Sequence, residues 1–82
     1  MKAIVLGIEK SEGTYEGHPY SNYIMYTQHD ITNGVGFKTD RNKVKSKIVS
    51  DYVTTRGINI SQLKGKEVNI NYDRYGNVES LG

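Results

Sequence analysis

The 82-residue chain contains no cysteine. That excludes disulfides and thiolate metal sites and agrees with a reducing compartment. Its two histidines, His18 and His29, are too few for an ordinary histidine zinc site. No apolar run approaches the roughly 18 residues of a membrane helix. The N-terminus lacks the apolar segment of a signal peptide. These absences predict a soluble cytoplasmic protein with no membrane partner, no metal and no cofactor. Hydrophobic residues are scarce, at 35% of the chain, with one alanine and three leucines. Seven valines, eight isoleucines and six threonines stand against them. β-Branched side chains are stiff at χ1 and fit a pleated surface, so strands are favoured and a helical bundle is not. A chain this short forms one domain, residues 1–82, with a marginal core. Good local structure or a partner subunit must support it.

The chain reads as alternating strands and turns. Lys2–Lys10 alternates as a strand. Ser11–Pro19, with Gly13, Gly17 and Pro19, reads as a loop or a hairpin tip. Tyr20–Gln28 reads as a second strand, with Tyr20, Asn22, Ile24 and Tyr26 on one face and Ser21, Tyr23, Met25 and Thr27 on the other. His29–Gly34 is a turn marked by Asn33-Gly34. Val35–Thr39 follows as a short third strand. In Lys43–Thr55, Val44, Ile48 and Tyr52 recur every four residues beside Val49 and Val53, which predicts an amphipathic helix ended by Gly57. Ile58–Leu63 connects it to the cleanest strand, Lys66–Tyr72, where Val68, Ile70 and Tyr72 face inward. Asp73–Asn77 is a tight hairpin before a last strand, Val78–Leu81. The order β-β-β-α-β-β fits a mainly β, five-stranded OB-like Greek-key barrel. An SH3-like barrel or an open α+β sheet fits the periodicity nearly as well.

Charge and aromatics point to an anionic partner. The net charge is only +2, but Lys38, Arg41, Lys43, Lys45 and Lys47 fall within ten residues that hold one acid, Asp40. Tyr15, Tyr20, Tyr23 and Tyr26 lie within twelve residues, and Tyr75 sits at a hairpin tip with little core to enter. Stacked bases and cross-strand packing are both natural uses of such tyrosines. A positive groove beside aromatic platforms is the pattern of single-strand binders. No cysteine nucleophile, glycine-rich phosphate loop or His-Glu-x-x-His motif suggests catalysis, and both histidines read as ordinary surface residues.

Gly17-His18-Pro19-Tyr20-Ser21 resembles the Gly-Lys-Pro-Tyr-Ser stretch of the filamentous-phage gene V-type single-stranded DNA-binding, or helix-destabilising, proteins. In that family the stretch lies in a β-hairpin wing whose tyrosine stacks on bases, and Tyr20 occupies the matching position. Val35-Gly36-Phe37-Lys38-Thr39-Asp40 resembles a strand whose lysine meets DNA, which nominates Lys38. Tyr75-Gly76 resembles a Phe-Gly hairpin at a dimer dyad, and Lys10 lies near a cation placed before the wing. The resemblance implies a homodimeric protein of a phage or mobile element, acting in DNA replication in a host cytoplasm. The expected function is binding of single-stranded DNA without strong sequence preference. Tyr20, Tyr26 and Tyr75 would stack, while Lys10, Lys38, Arg41, Lys43 and Arg74 would meet phosphates. The rival readings are a small module docking on a host protein through its tyrosine-rich face, and an RNA-binding OB domain.

Overall fold

The computed structural model describes residues 1–82. Five antiparallel strands form one sheet in the order β3-β2-β1-β4-β5, with one short helix. The elements are β1 (Lys2–Tyr15), β2 (His18–Asp30), β3 (Phe37–Lys45), α1 (Ser46–Arg56), β4 (Glu67–Tyr72) and β5 (Val78–Leu81). A short 3₁₀ turn, Ile60–Leu63, precedes β4.

The segment Ser11–Pro19 is mostly strand rather than loop. Tyr15 pairs with His18, which leaves only Glu16 and Gly17 between β1 and β2. Both residues take positive φ, 51° and 78°. Such a two-residue turn matches the twist of the strands it joins, and Gly17 supplies the conformation without a Cβ penalty. The hairpin is long because its register is unbroken from Gly7 to Tyr15. At about 3.3 Å per residue, fourteen residues account for the longest dimension of the molecule, 45 Å. β3 pairs with β2 only as far as Asn22, so the outer hairpin projects as a two-stranded ribbon.

The third strand and the helix divide the chain differently from their sequence pattern. β3 continues through Lys45 and α1 begins at Ser46, so Val44 is a strand residue rather than part of a helix face. The reason lies in Asn42. It points inward with Val44, completing a two-residue alternation in which Arg41, Lys43 and Lys45 face out. A polar residue on the inner side hides that alternation and leaves the four-residue spacing as the more visible signal. Gly57 ends the helix as expected, at φ 65°, and its N–H bonds to the Thr54 carbonyl.

The inner face of the sheet carries the core. Ala3, Val5, Met25, Val44, Val68, Ile70 and Val78 meet Val49 and Tyr52 of the helix and Leu63 of the 3₁₀ turn. A bulge at Leu6, between Val5 and Gly7, shifts the alternation of β1 so that Ile8 points inward after it. One polar chain runs from this core to the surface, ending at Tyr72, which reaches inward with its hydroxyl but remains 36% exposed. Asn42 Nδ2 donates to Thr27 Oγ1 at 3.0 Å, and the Tyr72 hydroxyl donates to Asn42 Oδ1 at 2.9 Å. Burial, followed by the nearby Asp40 charge, raises the Tyr72 phenol above its usual pKa and keeps it a donor. The edge strands β3 and β5 come within 8 Å of each other without pairing, so the sheet is not closed. No helix is long and apolar enough to cross a membrane.

Candidate nucleic-acid interface

The outer face of β1, β2 and β3 is organised by register. On β2, Tyr20, Asn22, Ile24 and Tyr26 point outward, while Tyr23, Met25 and Thr27 point to the core. On β3 the outward residues are Phe37, Thr39, Arg41, Lys43 and Lys45. Direct pairing sets Arg41 opposite Tyr26, Lys43 opposite Ile24, and Lys45 opposite Asn22. A row of rings and apolar groups therefore runs beside a row of cations, one strand spacing away, about 4.8 Å. Neither ion pair of the protein, Lys10–Glu12 or His29–Asp40, involves this cationic row.

Each ring is held rather than loose. Tyr20 lies across Gly13, its partner on β1. A Cβ at Gly13 would meet the Tyr20 hydroxyl at 2.7 Å and its ring at 2.9 Å. Gly13 is thus a strand glycine whose missing side chain seats a ring, not a loop glycine. Tyr20 remains 44% exposed. The Tyr26 hydroxyl donates to Glu9 Oε1 at 2.8 Å, and the residue remains 38% exposed. Between the two rings Ile24 is nearly covered, at 4% exposure, although it lies outside the core cluster. Ser11, Tyr15, Tyr20, Ile24, Arg41 and Lys43 line a depression of about 480 Å³ on this face. A second cleft, about 500 Å³, runs from Lys43 and Lys45 to Asp73, Asn77 and Glu79 beside the terminal hairpin. Lys43 borders both.

The terminal hairpin presents Tyr75. Asp73 accepts the backbone N–H groups of Tyr75 at 2.8 Å and Asn77 at 3.0 Å. These bonds, that of Asn77 foremost, hold the Asp73 carboxyl below its ordinary pKa. The Tyr75 ring is 74% exposed, with the Arg74 guanidinium 4.9 Å from its centre.

The structure brings Tyr20, Tyr26, Arg41 and Lys43 together on one face. It puts Arg74 and Tyr75 on a separate hairpin. Lys38 pairs with His29 and lies on the other face of β3, in phase with Asn42 and Val44. Lys10 also lies on that other side, with its ammonium 5.8 Å from the Tyr23 ring. Tyr15 and Phe37 join the outer face; the sequence groups Tyr15 with the clustered tyrosines without assigning it to the site, and does not nominate Phe37. Tyr15 has no face until the two-residue turn at Glu16-Gly17 is recognised. Phe37 acquires one once β3 is extended to Lys45. His18 is exposed, whereas His29 is part-buried with its Nδ1 3.1 Å from Asp40 Oδ2. No family model, curated protein or solved structure matches the chain, so the meaning of this face rests on its geometry and sequence.

Proposed function

We propose that the protein binds single-stranded DNA across the outer face of β1, β2 and β3, without strong sequence preference. The observation that carries this reading is the strand register. It sets Arg41 beside the exposed Tyr26, with Lys43 next along β3, on one surface. Bases stack on the rings of Tyr20 and Tyr26, and phosphates follow Arg41, Lys43 and Lys45. Stacking suits any base, because every base has a π-face, and each stack is worth about 1–3 kcal/mol. The projecting β1–β2 ribbon and the Arg74-Tyr75 hairpin flank the surface and lengthen it.

The strand order and the helix between β3 and β4 fit a partly open OB-like barrel, with the opening between β3 and β5. OB folds bind oligonucleotides on the face of strands 2 and 3 and with the loops joining strands 1–2 and 4–5. Tyr20 and Tyr26 on β2, Tyr15 at the end of β1 beside the 1–2 turn, and Tyr75 in the 4–5 hairpin suit those three places. The resemblance of Gly17–Ser21 to the wing of phage single-stranded DNA-binding proteins supports the same reading.

The phosphate track is tested by replacing Lys43 and Lys45 together with alanine. The slope of log K against log salt for oligo-dT should become shallower by about 1.4, at roughly 0.7 for each phosphate of a single strand that is no longer neutralised. An unchanged slope would remove these lysines from the site.

A further inference from the structure

Three parallel rows make up the binding face, and their chemistry differs. The β3 row is cationic, with Arg41, Lys43 and Lys45. The β2 row is largely aromatic and apolar, with Tyr20, Ile24 and Tyr26 and one amide, Asn22. The β1 row is small, with Gly7, Ser11 and Gly13, and is interrupted by one acid, Glu9. Pairing lines them up across the sheet. Gly7, Tyr26 and Arg41 form one line, and Glu9, Ile24 and Lys43 form the next. Glu9 and Lys43 therefore sit two strand spacings apart, about 9.6 Å, with the nearly covered Ile24 on the strand between them.

Resting on the single-stranded DNA reading above, we infer that Glu9 reads the edge of one base and favours bases that carry an exocyclic amino group. A phosphate is attracted to the β3 row and repelled by Glu9, so the sugar-phosphate chain runs along β3 and the bases point across β2 toward β1. The base that crosses the sheet on the Lys43 line then meets the Glu9 carboxylate with its hydrogen-bonding edge. One carboxylate oxygen is fixed by the Tyr26 hydroxyl at 2.8 Å, which aims the side chain. The other oxygen makes no hydrogen bond within the protein and is free to accept one from the base. A carboxylate accepts only, so it pairs with the N4 amino group of cytosine. Thymine offers instead one imide N–H between two carbonyl oxygens, which repel the carboxylate. Gly7 leaves the neighbouring line open, since nothing lies within 4 Å of where its Cβ would stand. The next base therefore crosses without being read.

Oligo-dC and oligo-dT of equal length, titrated against the wild type and Glu9→Gln, test the inference. The wild type should bind oligo-dC about fivefold or more tightly than oligo-dT. Glu9→Gln is isosteric at an exposed position and should bind oligo-dT more tightly, because the charge that repels its carbonyls has gone, while oligo-dC loses its charged hydrogen bond and gains little. The ratio between the two oligomers should then fall to near one. Equal wild-type affinities, or a ratio that survives in Glu9→Gln, would overturn the role of Glu9 and leave the single-stranded DNA reading standing. Absence of binding to either oligomer at low salt would overturn both.

Discussion

Tyr20 and Tyr72 show what separates a functional tyrosine from a structural one in this chain. Tyr20 lies over a glycine with nearly half its surface open, and nothing in the core depends on it. Tyr20→Ala should weaken binding to oligo-dT about tenfold or more, within the 1–3 kcal/mol of a lost stack, and leave the urea midpoint nearly unchanged. A large fall in the midpoint would make it a packing residue instead. Gly13→Ala should reproduce part of the affinity loss with Tyr20 intact, because the added Cβ pushes the ring from its seat. Tyr72 is the opposite case. Tyr72→Phe leaves Asn42 Oδ1 without its donor inside the core, at a cost of about 1–3 kcal/mol. Urea denaturation should show that loss, with oligo-dT affinity unaffected. The sequence separates the two only by strand alternation and by resemblance, since each tyrosine ends or begins an alternating run. The partner across the sheet, Gly13 or Asn42, decides, and register is a long-range property.

The elements divide into those written in local pattern and those set by distant contacts. β4, the hairpin at Asp73–Asn77 and the helix stop at Gly57 are legible from adjacent residues alone. The start of α1 is not, because Asn42 faces the core in a place that only Thr27 and Tyr72 justify. The β1–β2 turn is obscured in the sequence by Gly13 and Pro19, which flank Gly17 but sit in paired strands. The terminal hairpin makes its own prediction. Asp73 is held ionised by the backbone N–H groups it caps, so its folded pKa lies below the unfolded value. Its contribution is therefore full above the unfolded pKa and is lost as pH falls through the folded one. Acid titration of stability should show that loss below the ordinary carboxylate range in the wild type and not in Asp73→Asn. A variant with the same acid profile would show that the cap does not stabilise the hairpin.

At the scale of the whole molecule, the first three strands sort five of the chain's eleven cations into two groups. Arg41, Lys43 and Lys45 share a face with Tyr20 and Tyr26, and Lys10 and Lys38 lie on the other. The basic run read along the sequence is one cluster, but a period of two keeps Arg41, Lys43 and Lys45 on one side, sends Lys38 to the other, and leaves Lys47 to the helix. The weak net charge thus conceals a one-sided surface, and the aromatic row beside it gives that surface a use. A titration of the protein into fluorescently labelled oligo-dT, with a duplex of equal length as control, at two salt concentrations tests this most directly. The expected result is tighter binding to the single strand than to the duplex, weakened by salt. No binding to the single strand at low salt, or equal binding to the duplex, would contradict it.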